Sequence, residues 1–385
     1  MYISPLQDLK VNELGDYVAA PYCGQILADL GADVIKIERP LTGDPLRQLE
    51  EPAWLGMTPS FAALNRNKRS AIVDLQDSRQ LDALKGLIHE SDVLLHNLFP
   101  GSAVKFGLDG ESLIKINPLL VYCCIGAFGA RGPLSKLPGY DPLMQAFGGI
   151  MSVTGEADGE PVRAGVPLVD CTAGMWAAIG IVSALHRRRT RGIGGIVDTS
   201  LFESSLALMC LVSANTLATG EMPSRLGSGS IIAVPYKAYH TADGRLLVAC
   251  ANDRLFAKLC AELGRSEWAS DARFATAPQR LRNRSLLDGL IECIMVTDLT
   301  QHWSRRLEGA GIPNAPIQNI NEVHEHAQTA ALGMLLETGI EGMKLMGTPL
   351  SFEGERPSVR RGIPEVGQHT KEIFTAINKY NNKYI

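Results

Sequence analysis

Pro21-Tyr22-Cys23-Gly24-Gln25-Ile26-Leu27-Ala28-Asp29-Leu30-Gly31-Ala32-Asp33-Val34-Ile35-Lys36-Ile37-Glu38 is the stretch that decides the fold class. From Pro21 to Leu30 the apolar side chains recur at helical spacing. Gly31 supplies the helix stop. Residues 33–38 then read as a strand. Upstream, residues 9–14 make a second strand candidate, so the segment is a βαβ unit. The pattern returns downstream: strand at 70–75, helix at 78–90, strand at 92–96, helix at 110–117, strand at 119–125. Repeated units of this size predict an α/β fold, a mostly parallel sheet with covering helices.

Beyond these units lies a long helix over 170–189, rich in small residues (Ala173, Gly174, Ala177, Ala178, Gly180, Ala184). Small side chains let another backbone approach closely. A turn with Gly192, Gly194 and Gly195 follows, then a strand at 195–198 and a helix at 200–217. Gly220, Pro223, Gly227 and Gly229 mark 219–231 as a loop and domain boundary. The expected organisation is a large domain over 1–200, a linker helix over 201–224, a smaller α+β domain over 225–325, and a segment over 326–385 that returns to the large domain as extended chain.

Composition narrows the function. The 385 residues hold 37 Lys+Arg and 41 Asp+Glu, a net charge of −4, which argues against a dedicated nucleic-acid binder. No uninterrupted apolar run long enough for a membrane span is read, and Met1-Tyr2-Ile3-Ser4-Pro5 does not look like a secretory leader. The eight cysteines contain no C-x-x-C pair and are expected to be buried free thiols in a reducing compartment, which places the protein in the cytoplasm. No metal is expected: His324 and His326 are spaced to lie on different faces of a helix.

Glu38 sits where a dinucleotide-binding fold carries its ribose-binding carboxylate, but Tyr17-Val18-Ala19-Ala20-Pro21-Tyr22-Cys23-Gly24 replaces the glycine-rich turn, so nicotinamide dinucleotide binding is rejected. Arg39, Arg47, Arg66, Lys68, Arg69 and Lys105 gather near strand ends; Arg39, just after a strand, is the best placed for a phosphate, while the group as a whole also reads as solvated surface charge. Arg187, Arg188 and Arg189 suit a helix C-terminus. Asp170 opens the long helix. It is expected to be an N-cap, with the helix dipole keeping it ionised. The same geometry would make it a nucleophile toward an acyl group.

Several strings together carry a family resemblance: residues 27–40, Asn65-Arg66-Asn67-Lys68-Arg69-Ser70, Asn97 with Pro100-Gly101, Gly139-Tyr140-Asp141 with Gln145-Ala146, Asp170, Thr241-Ala242-Asp243-Gly244 and Gly367-Gln368-His369-Thr370. Essentially end to end, the chain resembles the class III CoA-transferases, the family of formyl-CoA transferase and the carnitine CoA-transferases. The resemblance implies a Rossmann-like large domain built from both chain ends, a smaller domain, and two subunits interlocked as a homodimer. It implies that Asp170 attacks an acyl-CoA thioester to give an aspartyl-acyl anhydride and then an aspartyl-CoA thioester, with acyl-CoA and a carboxylic acid as substrates and no tightly bound cofactor. Val18, Ala19, Arg39, Val73, Asp74, Leu75, Gln76, Asn97, Leu98, Phe99, Lys105, Gly139, Tyr140 and Asp141 match CoA-binding positions, and Gly227, Ser228 and Gly229 match a lid over the site.

The chain departs from the family at three places. Asn97-Leu98-Phe99 alters the stacking surface, Val18 replaces a glutamine of the oxalate-using members, and the lid is not all glycine; the last two point away from formyl or oxalate substrates. The α-methylacyl-CoA racemases also resemble this chain. Their Gly-His-Asp string is Gly139-Tyr140-Asp141 here, and a tyrosine is a poor α-proton base, so transferase is favoured over racemase.

Overall fold

In the parallel sheet, hydrogen bonding runs through β1 (Lys10–Leu14), β2 (Asp33–Glu38), β3 (Lys68–Ile72), β4 (Val93–His96), β5 (Val121–Gly126) and β6 (Gly195–Ser200) in the spatial order 3-2-1-4-5-6. Every neighbouring pair is parallel. The order reverses between β1 and β4, and that reversal leaves a crevice at the carboxyl ends of the strands. The computed structural model describes residues 4–54 and 56–381.

The helices of this unit are α1 (Ala19–Asp29), α2 (Pro59–Asn65), α3 (Ser78–His89), α4 (Ser102–Phe106), α5 (Gly110–Ile116), α6 (Asp141–Phe147), α7 (Leu168–Arg191) and α8 (Leu201–Leu208). One face of the sheet packs Val11, Val34, Leu95 and Val121 against Leu27 of α1 and Ala173, Ala177 and Ile181 of α7. The other face packs Ile35, Leu94 and Tyr122 against Leu84 and Ile88 of α3 and Ile373 of the last helix. Gly174 explains the small-residue pattern of α7: a Cβ there would lie 2.7 Å from the Ala19 carbonyl oxygen, so only glycine admits the N-terminus of α1 this closely. Gly192 ends α7 at a φ of 68°, in the left-handed region that glycine enters without strain. By length and composition α7 could cross a membrane; here it packs against α1, β5 and β6.

The Asn65-to-Ser70 string is a buried polar clasp. Arg66 Nε donates to Asp29 Oδ1 at 3.1 Å, Lys68 Nζ lies 2.7 Å from Glu13 Oε2, and Arg69 pairs with Asp33. Asn67 accepts the amides of Arg360 and Arg361, and its Nδ2 donates to Asp29 and the Ser358 carbonyl. Thr348 Oγ1 also donates to Asp29, at 2.6 Å. Arg47 is held by Glu38. These cations are therefore structural, and the reading of them as solvated charge or a phosphate cluster does not stand: Arg66 and Lys68 are buried with carboxylate partners. Burial removes the water that would otherwise solvate them, so each needs its own partner.

The chain divides into two compact units, one of residues 1–150, 164–211 and 327–385, the other of 151–163 and 212–326. The second has an antiparallel sheet of β7 (Tyr236–His240), β8 (Arg245–Ala249) and β9 (Asn314–Pro316), the first two joined by a turn at Thr241–Gly244. α9 (Cys210–Thr219) leads into it, and α10 (Asp253–Glu262), α11 (Ala277–Arg282), α12 (Arg284–Met295) and α13 (Thr300–Gly309) supply helices around a core that includes Tyr239, Phe256, Phe274 and Trp303.

The division falls differently from the boundaries expected at 200, 224 and 325. Residues 151–163 go with the second unit because Gly155 and Gly159 carbonyls accept from Gly227 N and Arg225, at 2.8 and 2.6 Å. The helix expected over 200–217 breaks at Met209, and its first part packs on α6 and α7 instead of forming a linker. The last segment is not simply extended: it carries a helix, Thr370–Asn381, on β3 and α3. All eight cysteines are free, but Cys210 and Cys293 are exposed rather than buried.

Candidate active site

A cavity of about 520 Å³ opens at the reversal between β1 and β4. Its walls come from the carboxyl ends of four strands: Leu14 ending β1, Glu38-Arg39 at the end of β2, Asn97-Leu98-Phe99 after β4 and Gly126-Ala127 at the end of β5. Val73, Asp74, Leu75 and Gln76 follow β3 along the same edge. Val18 and Ala19 open α1, Gly139 and Tyr140 precede α6, and Asp170 projects from the first turn of α7. The fold thus brings residues from eight separate stretches to one crevice.

The loop that enters α1 is held from three sides. Asn97 Oδ1 accepts the Asp16 amide at 3.0 Å, and its Nδ2 donates to the Asp16 carbonyl at 2.8 Å. The Asp16 carboxylate pairs with Arg39. The Tyr17 amide donates to Asp44 Oδ1 at 3.1 Å, and Lys36, buried between Glu13 and Asp44, donates to the Gly15 carbonyl. This network holds Tyr17 at a φ of 64°, a left-handed conformation that costs a tyrosine energy. Its ring meets Tyr140 edge to face with centroids 5.8 Å apart. Among the described residues Arg39 is the one cation lining the cavity, beside Asp16, Glu38, Asp74 and Asp170.

Asp170 does not cap α7. The N-cap residue is Pro167, which has no side chain able to accept a bond, and Asp170 lies inside the first turn. The cap comes from another helix: Asp141 Oδ2 accepts the amides of Val169 at 2.7 Å and Asp170 at 3.3 Å. Asp141 Oδ1 accepts Gln145 Nε2 at 2.6 Å, and Gln145 Oε1 accepts the Ala164 amide at 2.8 Å. Burial, reinforced by the charge of Asp141, pushes the Asp170 carboxyl up to about 7, so the expectation of an ordinary, fully ionised carboxylate is corrected. Among the described residues no donor reaches its oxygens.

Two expected CoA-binding residues do not line the cavity. Asp141 is buried and spent on the amides just named. Lys105 is exposed on α4, its Nζ 5.0 Å from the ring of Phe106, and it is Phe106 that lines the wall. The expected lid belongs to the second unit, where Gly227 N donates to Gly155 and Ser228 Oγ accepts the Ala238 amide at 3.0 Å. Sequence reasoning missed Tyr17, Asp16 and the role of Gln145. A signal existed for Gln145, four residues after Asp141 and therefore on the same helix face. None existed for Tyr17, whose place depends on a backbone angle. His96 is buried and pushed down to about 4, so its ring is neutral and Nδ1 accepts the Leu98 amide.

A crevice of this kind with a single partly buried, donor-free carboxylate suits nucleophilic attack on an activated acyl group. Comparison with known proteins shows the family. The profile of CoA-transferase family III matches residues 6–370. An acyl-CoA transferase of Fusarium pseudograminearum is 35% identical over 97% of this chain and 84% of its own. The succinyl-CoA:glutarate CoA-transferase of Mus musculus is 33% identical over 98% of this chain and 88% of its own. The crystal structure of a CAIB/BAIF family protein from Brucella suis superposes with a TM-score of 0.86 at 36% identity, covering 97% of this chain and 99% of that one. This chain belongs to the CoA-transferase family III and is an enzyme of that class.

Proposed function

We propose that the enzyme moves coenzyme A from an acyl-CoA to a free carboxylic acid through covalent acylation of Asp170. The observation that carries the reading is the Asp170 carboxylate, placed in the wall of the switch-point cavity with no donor among the described residues to hold it back. In the first step a carboxylate oxygen bonds to the thioester carbonyl carbon, the C–S bond breaks, and CoA leaves as thiolate with the electron pair. The thiolate then attacks the Asp170 carbonyl carbon of the anhydride, releasing the donor acid and leaving an aspartyl-CoA thioester. The acceptor carboxylate runs the two steps backward. Each intermediate is itself an activated acyl species, so no strong base is needed.

CoA would follow the cavity from Arg39, at the nucleotide end, to Asp170 at the reacting end, along Val73–Gln76, Asn97–Phe99, Val18–Ala19 and Gly139–Tyr140. A dicarboxylic donor and acceptor pair is the substrate class we assign, by similarity to the mouse succinyl-CoA:glutarate enzyme. Tyr140 stands where a racemase of this fold would need a histidine, and a phenol is a poor acceptor of an α-proton. We further propose that the protein works as an interlocked homodimer in the cytoplasm, with Gly227–Gly229 acting as a lid. The exposed apolar side chains of α7 (Met175, Trp176, Ile179 and Val182) form a strip that a second copy would cover.

The test is exchange between succinyl-CoA and glutarate by the purified protein. Hydroxylamine trapping during turnover should modify Asp170, and Asp170→Ala should abolish exchange while retaining CoA binding. Exchange at the normal rate by Asp170→Ala would overturn the mechanism.

A further inference from the structure

The N-terminus of α7 should, by its own electrostatics, draw a nearby carboxylate onto its free amides and hold it ionised. Those amides are taken by Asp141, not by Asp170. We propose that Asp141, backed by Gln145, is the positioning residue of the reaction: it occupies the amide end of α7 and thereby leaves the Asp170 carboxylate free of donors and directed to the cavity. The inference rests on the acylation of Asp170 proposed above and adds the device that prepares it.

Three observations support it. Asp141 is 3% exposed, and both of its oxygens are engaged, one by the two amides and one by Gln145. Gln145 is fully buried and fixed in turn by the Ala164 amide, so the chain Ala164–Gln145–Asp141–Val169 has a single consistent donor order. Burying such a chain is costly unless every member is satisfied. The third is the surroundings of Asp170. Around it stand Asp141 from α6 and Cys171 of α7 itself, with Tyr17 and Tyr140 on the wall of the same cavity; Tyr22 of α1 lies beside Cys171. Among the described residues no cation pairs with Asp170; Arg39 of the same cavity is taken by Asp16. The one formal charge acting on it is thus a second negative one, which favours the protonated form and makes the ionised form a better nucleophile.

The test separates the charge from the hydrogen bonds. In Asp141→Asn the new Nδ2 donates to Gln145, which must turn its own amide nitrogen toward the Ala164 amide, so two donors meet. In the double variant Asp141→Asn/Gln145→Glu every bond can re-form. The Oδ1 of the amide introduced at position 141 is meant to accept from α7, and its Nδ2 to donate to the carboxylate introduced at position 145. That carboxylate in turn accepts the Ala164 amide. The charge has then moved one side chain away from Asp170. With succinyl-CoA and glutarate as probes, we expect the single variant to lose activity and thermal stability and the double variant to recover stability. We expect the acidic limb of its pH–rate profile to move down by about one unit, roughly a tenfold gain in ionised enzyme on that limb. A double variant with the wild-type profile would overturn the proposal.

The carboxyl 13C titration of Asp170, assigned by difference from Asp170→Asn, needs no activity. A wild-type midpoint near 7 that falls in the double variant supports the proposal; a wild-type midpoint near 4 refutes it even if exchange is Asp170-dependent. Exchange that survives Asp170→Ala would instead refute the acylation mechanism and leave the 13C result standing on its own.

Discussion

Asp170 shows how the surroundings of a side chain can override the electrostatics that its place in a helix suggests. As a first-turn residue it should be stabilised by the helix dipole. In the fold the dipole is already occupied by Asp141, and burial decides the outcome, raising the carboxyl to about 7 from 3.8. The consequence for stability has a definite sign. Between these two values the folded protein holds a proton that the unfolded chain has released, so stability falls as pH rises through that interval. Asp170→Asn removes the penalty. It should raise the unfolding free energy at pH 8 by on the order of 2 kcal/mol, with the gain vanishing toward pH 4. Urea unfolding at both pH values checks this, and an equal effect at the two would contradict it. On the activity side, the proposed mechanism predicts that exchange drops as pH falls below about 7, because protonation would remove its nucleophile.

At the scale of elements, the site depends on how closely α7 meets the start of α1. A methyl group at Gly174 would lie 2.7 Å from the Ala19 carbonyl oxygen and 3.2 Å from the Cys23 nitrogen, both rigid helix backbone. Gly174→Ala should therefore push the two helices apart, at a cost of roughly 1–3 kcal/mol. Because Asp170 and Val18–Ala19 ride on those helices, kcat should fall more than stability alone explains; denaturant titration beside steady-state kinetics measures both. The loop ahead of α1 makes a separate prediction. Asn97 ties both sides of the Asp16 peptide, at 3.0 and 2.8 Å. Asn97→Ala should release the Asp16–Tyr17 turn and raise KM for acyl-CoA about tenfold, with a smaller change in kcat. Unchanged KM would mean the turn is held by Arg39, Asp44 and Lys36 without Asn97.

Over the whole molecule, Asp29 is the joint between the first βαβ unit and the C-terminal segment. It accepts from Gln25, Arg66, Asn67 and Thr348. Asp29→Ala would leave the Arg66 guanidinium buried without its partner, a loss of about 3–5 kcal/mol. Limited proteolysis should then cut within 348–369 well before the sheet unfolds; resistance there equal to that of the wild type would show that the clasp is dispensable. The same residues explain part of the family resemblance. Asn65 to Ser70 looks in sequence like a basic patch for phosphate, yet its cations are spent on closing the fold, as Lys68 with Glu13 and Arg69 with Asp33 show.

What the residues alone determined was whatever repeats at short range. The helical spacing of 21–30, the stop at Gly31 and the apolar strand after it specify a βαβ unit, because burial of a periodic apolar face depends only on local sequence. The strings that marked the family, Asp170 included, are likewise linear. What only the tertiary structure decided was which partners meet. That Asp141 rather than Asp170 takes the amides of α7, that Phe106 and not Lys105 faces the cavity, and that 151–163 pairs with 225–227 all depend on contacts between distant stretches. Charge, hydrogen bonding and burial at a site are sums over such neighbours, and the order of residues along the chain does not contain them until it is folded.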